Sequence, residues 1–131
     1  MQIINDKFLH VKSIIWIFLK KRRKERMTNV IELIKEAIDD KKGKDIIVID
    51  VKGKVTYTDY IIICTGSSDV NIKAISDSVK KKLFENGMDT QGIKTEGYDN
   101  ATWILMDCQD AVVHIFNAEM RDYYKLEKIW S

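Results

Sequence analysis

One stretch, residues 95–120, contains five carboxylates and three aromatic rings but no Lys and no Arg. A surface of this composition suits a basic protein, because aromatic rings supply apolar contact area and carboxylates attract Lys and Arg. It suits nucleic acid or phosphate poorly, since both are anionic. The five carboxylates are Glu96, Asp99, Asp107, Asp110 and Glu119, and the rings of Tyr98, Trp103 and Phe116 lie among them.

Two small groups of residues raise the question of catalysis. Gly66 and Ser67 follow an apolar run and precede a helical pattern, which is where nucleotidyltransferases keep a Gly-Ser pair that holds phosphate. That chemistry also needs two carboxylates two residues apart on the following strand, to bind two metal ions. The candidate strand offers only Asp107, with Leu105 two positions before it. A turn followed by a helix cap is the simpler interpretation of the pair.

His114 is the second candidate, as the partner of Cys108 in a Cys–His dyad. Neither residue lies in the sequence context of an activated nucleophile. A hydrogen-bonded structural imidazole or a residue of a contact surface is the alternative. The two Cys and two His have no zinc-site spacing. We therefore expect a protein that is not an enzyme and uses no cofactor or metal.

The net charge of +2 hides a division of the chain into two parts. Residues 1–26 carry eight basic and two acidic residues, whereas residues 27–131 carry 14 basic and 18 acidic ones. The main domain, residues 27–131, is therefore mildly acidic, and no sequence-specific contact with nucleic acid is expected. Its two cysteines lie in apolar strand-like runs, which indicates reduced thiols and a cytoplasmic location.

The first 26 residues form an extension of distinct chemistry. The apolar run Phe8–Leu19 is shorter than the roughly 20 residues of a spanning helix, so no membrane-spanning helix is predicted and a membrane is not the favoured partner. The basic cluster Lys20–Arg26 follows this run, whereas a signal peptide would place it first. Three interpretations remain open: a segment upstream of a natural start at Met27, a basic arm for anionic lipid, and an arm that touches RNA.

Hydrophobic periodicity predicts one α/β (α+β) domain: a single mixed sheet flanked by helices. The Asn29–Glu32 pair resembles a capping box that opens the first helix. The last helix should place Tyr123, Leu126 and Trp130 on or near one face. The predicted helices cover residues 29–41, 69–87 and 119–130, and the predicted strands cover residues 45–51, 57–65, 91–95, 102–108 and 111–116.

The last two predicted strands form a hairpin with two different faces. Alternation places Trp103, Leu105 and Asp107 on one side, together with Val112, His114 and Phe116 of the second strand. The opposite side is apolar and suits packing under a helix. We expect the mixed side to contact a partner. The alternative is that the C-terminal helix covers Trp103 and Phe116.

Three segments, residues 43–53, 58–79 and 96–130, resemble the ribosomal silencing factor family, also called Iojap-like. Their sequences are GKDIIVIDVKG, TDYIIICTGSSDVNIKAISDSV and EGYDNATWILMDCQDAVVHIFNAEMRDYYKLEKIW. The resemblance covers residues 29–131 and leaves the extension outside. It implies a nucleotidyltransferase-like topology without transferase activity.

The resemblance also implies a function. A member of this family binds the large ribosomal subunit through ribosomal protein uL-fourteen, blocks joining of the small subunit and represses translation under nutrient limitation. Family members are often homodimers when free. By position, Trp103, Phe116 and Cys108 match apolar contact positions of the family. Our further partner-binding candidates are Tyr98 and His114, and, for pairing with basic residues, Glu96, Asp99, Asp107 and Asp110.

One position departs from the family pattern. The hairpin turn usually has Gly before its Asp, and here the residue is Gln109. If the turn needs a positive φ at this position, the backbone of Gln109 is strained.

Overall fold

The first helix, α1, spans Gln2–Asp40. A computed structural model describes the backbone of residues 2–130 and the side chains of residues 11–26 and 29–130. The chain divides into two units, Met1–Val30 and Ile31–Ser131. In the first unit, the side chains of residues 11–26 are exposed. Within the described part of the chain, no helix has the length and apolar character needed to cross a membrane.

The predicted start of the first helix at Asn29 is wrong, because Asn29 lies inside α1. The residues before it, from Lys20 to Thr28, include neither Gly nor Pro and consist largely of Lys, Arg, Glu and Met. These are strong helix formers, so nothing in this segment stops the helix upstream of the capping-box pattern.

The second unit contains one mixed sheet of five strands, which confirms the predicted fold class. The strand order is β1-β2-β5-β4-β3. β2 and β5 run parallel, and the other neighbouring pairs are antiparallel. The strands are β1 (Lys44–Asp50), β2 (Tyr60–Thr65), β3 (Lys94–Glu96), β4 (Trp103–Asp107) and β5 (Ala111–Phe116).

Strand β2 lies inside the sheet, as its run of consecutive apolar residues predicts. Residues 61–64 have no exposed surface. The strand begins at Tyr60 and not at Tyr57 as predicted, and Tyr57 is 60% exposed. The three residues before Tyr60 lie outside the strand, so the predicted start was three residues too early.

Helix α2 (Asp69–Glu85) begins where the sequence predicts and ends two residues before the predicted end at Gly87. Ser68 caps it, accepting a hydrogen bond from the Asn71 N–H at 3.1 Å. Its buried apolar residues, Ile72, Ile75, Val79 and Leu83, recur at helical spacing. Gly87, just beyond the helix, has a φ of +82°, which suits a residue without a side chain.

The C-terminal segment is not the single helix that was predicted for residues 119–130. Helix α3 spans Ala118–Tyr124 and ends at Lys125, whose φ of 48° is left-handed. A 3-10 turn, Leu126–Lys128, follows. The bend turns Leu126 and Trp130 onto apolar residues of the sheet. Burying these two side chains outweighs the left-handed conformation, which costs about 1–2 kcal/mol.

Candidate partner-binding surface

The two faces of the sheet differ in what covers them. The helical face is apolar and fully buried, and α2 lies against it: Ser76 Oγ donates a hydrogen bond to Met106 Sδ at 3.4 Å. The opposite face, called the C-terminal face below, carries the cross-strand pairs Trp103–Phe116, Leu105–His114 and Asp107–Val112. The helical face consists of Ile62, Cys64, Ile104, Met106, Val113 and Ile115. The division of the hairpin into two faces is therefore as predicted.

The C-terminal segment covers one half of the C-terminal face. Beneath it lies a second core of Val51, Ile61, Ile63 and Phe116, all without exposed surface. Met120, Leu126 and Trp130 pack against this core. The expectation that Phe116 touches a partner is corrected by its burial. Phe116 supports the surface from below, because the C-terminal segment already occupies the space above it.

Trp103 lies at the border between the covered and the open half of this face. It is half-buried, and its ring centroid is 4.9 Å from that of Phe116 and 4.9 Å from that of Tyr124. Tyr124 is itself 43% exposed and Tyr123 is 78% exposed, so helix α3 extends the aromatic surface beside Trp103 and does not hide it. Sequence reasoning did not assign either tyrosine to the surface, since it placed Tyr123 only on or near one helix face with Leu126 and Trp130.

The indole of Trp103 is held by His114. Trp103 Nε1–H donates to His114 Nδ1 at 3.1 Å, and the ring centroids are 5.9 Å apart. His114 is only 6% exposed, and this burial lowers its pKa from 6.5 to about 4. The imidazole is therefore neutral near pH 7. Because Nδ1 accepts a hydrogen bond, the ring proton resides on Nε2.

The thiol and the imidazole are not tuned for a Cys–His dyad. Burial raises the pKa of Cys108 to about 12 and lowers that of His114 to about 4. A thiolate–imidazolium pair needs the opposite shifts. Strand alternation also places Cys108 on the side of Met106 and His114 on the side of Leu105. Both observations favour structural roles for the two side chains.

The predicted carboxylates spread over the hairpin and do not form one cluster. Glu96 and Asp99 are exposed, and Glu96 lies opposite Leu105 on the C-terminal face. Asp107 Oδ1 accepts the Gln109 N–H at 3.0 Å and so stabilises the turn. The Asp110 carbonyl accepts the N–H groups of Asp59 and Tyr60, both at 3.1 Å.

Lys94 and Tyr98 change the predicted picture of an acidic, aromatic surface. Lys94, which precedes the acid-only stretch, lies opposite Asp107 in the β3–β4 pairing. Tyr98 donates from its hydroxyl to Asp77 Oδ2 at 3.0 Å, so this ring is tied to α2. Glu96 and Asp99 are therefore the carboxylates best placed to meet a partner from solution.

The hairpin turn has the unusual backbone conformation that the sequence raised as a question. Gln109 has a φ of 73°, in the left-handed region. The turn is otherwise regular, since the Cys108 N–H donates to the Ala111 carbonyl at 2.9 Å. The backbone of Gln109 therefore adopts a conformation that is strained for Gln and unstrained for Gly.

The Gly66–Ser67 turn has already used the donors that a phosphate would need. Ser67 N–H donates to Asn71 Oδ1 at 3.0 Å, and Gly66 N–H donates to the Phe116 carbonyl at 2.8 Å. Ser68 Oγ caps the helix as described above. These contacts support the simpler interpretation of the pair as a turn and cap.

Arg121 is a buried residue that sequence reasoning did not single out. It is 9% exposed, and its Nη1 donates to the Asp45 carbonyl at 2.6 Å and to Thr65 Oγ1 at 2.8 Å. Its Nε lies 3.5 Å from Glu127 Oε1. Arg121 thereby fastens the C-terminal segment to the ends of β1 and β2. No local sequence signal marks it, because its partners are distant along the chain.

Comparison with known proteins shows which proteins this chain resembles in sequence and fold. Residues 17–131 match the family described as "Ribosomal silencing factor during starvation". The ribosomal silencing factor RsfS of Bacillus subtilis is 40% identical over 103 residues, which cover 79% of this chain and 86% of that protein. A crystal structure of a Chromobacterium violaceum protein superposes with a TM-score of 0.74 at 38% identity, covering 79% of this chain and 84% of the other.

A more distant relative is found in the mouse. The protein named "Mitochondrial assembly of ribosomal large subunit protein 1" is 31% identical over 103 residues, covering 77% of this chain and 45% of that protein. Its name, like that of the Bacillus subtilis protein, refers to the ribosome.

Proposed function

The chain belongs to the ribosomal silencing factor family, and from this premise we propose that it represses translation by physical blockade. It binds the large ribosomal subunit through ribosomal protein uL-fourteen and prevents the small subunit from joining. The family description supplies the condition, starvation. The mouse relative's name supports the choice of the large subunit. The protein acts in the cytoplasm as a binding protein and not as an enzyme.

The observation that carries the proposal is the half-buried indole of Trp103 on the open part of the C-terminal face. Leu105 beside it is also half-buried, and the rings of Tyr123 and Tyr124 continue the apolar area. Aromatic residues of this kind are enriched at the centres of protein–protein interfaces. A partner that covered Trp103 would complete a burial that the chain itself leaves unfinished.

The rim of this surface favours a basic partner. Glu96 is exposed and lies opposite Leu105 of this surface, Asp99 is exposed three residues further on, and the main domain is acidic overall. Ribosomal proteins are generally basic because they contact RNA, so a carboxylate rim suits uL-fourteen. Rim charges act mainly on the association rate and on orientation, which makes binding sensitive to salt.

Blockade requires only that the bound protein occupies the subunit interface. No chemistry is needed, so the energetic demand is an affinity high enough to compete with the small subunit. A central Trp commonly contributes about 2 kcal/mol or more to such an affinity, which corresponds to roughly 30-fold in Kd.

The test is co-sedimentation of the protein with separated large and small subunits, followed by a subunit-joining assay. Wild-type protein should sediment with large subunits alone and should reduce joining. Trp103→Ala should weaken binding by roughly 30-fold or more. Glu96→Lys should weaken it less, and its effect should shrink as salt is raised.

The matched control is Asp39→Lys, which makes the same charge change on an exposed residue of α1. It should leave binding unchanged, because α1 residues 31–40 pack with α2 on the helical side of the sheet. Circular dichroism checks that each variant is folded. Wild-type affinity in folded Trp103→Ala would rule out this contact surface, and equal binding to both subunits would rule out the blockade.

Two further parts of the proposal concern the free protein. Residues 27–131 form the silencing-factor domain and suffice for subunit binding, so removal of residues 1–26 should leave co-sedimentation intact. The free protein forms a homodimer, which light scattering measures as twice the mass of the chain. A monomer at micromolar concentration would exclude the dimer without affecting the blockade.

A further inference from the structure

We propose that His114 is a positioning residue for partner binding: it holds the indole of Trp103 in the one orientation that a partner meets. This inference rests on the proposed function, because it assigns a role within the same surface. His114 itself is almost completely buried and does not touch the partner.

The geometry shows how the indole is fixed. Trp103 lies on β4 opposite Phe116, and His114 is two residues before Phe116 on β5. The two rings are thus diagonal neighbours on one face, a spacing that only long or aromatic side chains bridge. The indole N–H meets His114 Nδ1 at 3.1 Å while the flat side of the indole stacks on Phe116 at 28°. One polar contact and one stacking contact together define the plane and the direction of the ring.

His114 is itself held rigidly. Its ring stacks on Phe116 with an interplanar angle of 10° and a centroid distance of 6.0 Å, and Phe116 is fully buried. The acceptor therefore has a fixed position before any partner arrives. Without this acceptor, Trp103 would be held only by its ring contacts with Phe116 and Tyr124, and ordering the less restrained indole on binding would reduce affinity.

The chemistry of the contact explains why a histidine is needed here. The indole N–H is a donor only, so its partner must accept a hydrogen bond. A buried apolar residue at position 114 would leave the N–H without an acceptor on the sheet. The indole would then turn toward water and present a different edge to the partner.

The matched pair of variants is His114→Asn and His114→Leu. The two new side chains have nearly the same shape, and Asn alone places an oxygen acceptor close to the position of Nδ1. Binding to large subunits should weaken roughly 3- to 10-fold in His114→Leu, from the cost of ordering one free side chain. His114→Asn should remain within about twofold of wild type because the acceptor is kept.

Nuclear magnetic resonance of the full chain supplies the readout that a purely structural role would not change. The indole N–H signal of Trp103, assigned by its loss in Trp103→Phe, should shift and exchange faster with water in His114→Leu. In His114→Asn it should stay close to its wild-type position. If His114→Leu does not fold, His114→Phe again removes the acceptor while keeping a planar ring.

The outcomes separate the two proposals. Wild-type affinity in a folded His114→Leu or His114→Phe variant would overturn the positioning role and leave the proposed function standing. Equal weakening in His114→Asn and His114→Leu would also overturn it, since the acceptor would then be irrelevant. Failure of the wild-type chain to bind large subunits would overturn both.

Discussion

Arg121→Met should destabilise the second unit by about 3 kcal/mol, because Arg121 fastens the C-terminal segment to the sheet. The change removes the hydrogen bonds to the Asp45 carbonyl and to Thr65 Oγ1, together with the contact to Glu127. Met keeps much of the apolar length of Arg, so the measured loss of stability comes mainly from removal of the guanidinium group.

The magnitude follows from the burial of the partners. A hydrogen bond to a charged group contributes about 1.5–3 kcal/mol, and removing one member of a buried ion pair costs about 3–5 kcal/mol. The side chain of Glu127 is 30% exposed, so water partly solvates the carboxylate that is left behind. The expected cost therefore lies near the low end of that range. Glu127 Oε2 is buried without a hydrogen-bond partner already, so this carboxylate tolerates little further loss.

A double variant tests the assignment. Adding Glu127→Leu to Arg121→Met removes the unpaired carboxylate and should recover about 1 kcal/mol or more. The assay is urea unfolding followed by far-ultraviolet circular dichroism at pH 7. Lys80→Met, on the exposed side of α2, is the control and should change stability by less than about 0.5 kcal/mol.

Two results would refute the reasoning. A cost below about 1 kcal/mol for Arg121→Met would mean that the guanidinium contributes little to docking of the segment. A double variant no more stable than the single one would mean that Glu127 is well solvated once Arg121 is gone.

Three other predictions concern the hairpin and the buried thiol of Cys64. The pKa of His114 is lowered from 6.5 to about 4 in the folded chain. As pH falls, the imidazole of His114 therefore takes up a proton in the unfolded chain before it does so in the folded chain. The free energy of unfolding should fall by roughly 3 kcal/mol between pH 6.5 and pH 4. Urea titrations of His114→Asn should show no such loss. Gln109→Gly should stabilise the domain by about 1 kcal/mol in thermal unfolding, because Gly adopts a φ of 73° without strain. The control Gln91→Gly changes a residue without a positive φ and should not stabilise the domain. Burial raises the pKa of Cys64 to about 12, so this fully buried thiol should react with a disulfide reagent at pH 8 only after unfolding. Rapid labelling of Cys64 in the native protein would contradict its burial.

Much of the fold was predictable because the signals for it are local. The period of Ile72, Ile75, Val79 and Leu83 predicted α2, and alternation predicted both the bounds of β5 and the two faces of the hairpin. Hydrophobic periodicity and the order of the elements predicted a single mixed sheet, which the strand pairing confirms. The turn at Gln109 was also identified in advance, because a missing Gly is visible in the sequence.

The errors fall where the outcome depends on distant contacts. The first helix does not begin at Asn29, since a capping pattern acts only where the preceding residues leave the helix. The last helix breaks at Lys125 because bending there lets Leu126 and Trp130 reach the sheet. Phe116 was assigned to the surface because alternation identifies the face of a strand and says nothing of what lies above it.

The sequence by itself determined the family, the mixed sheet, the acidic character of the main domain and the choice of Trp103 as the candidate centre of binding. These properties depend on residue type, order and short spacing. Tertiary structure decided which half of the C-terminal face stays open, that Phe116 lies beneath Trp103, and that His114 accepts the indole hydrogen bond. The physical reason is that the exposure and the hydrogen-bond partner of Trp103 depend on contacts between β4, β5 and the C-terminal segment. These contacts join residues that are distant along the chain, so no local sequence pattern predicts them.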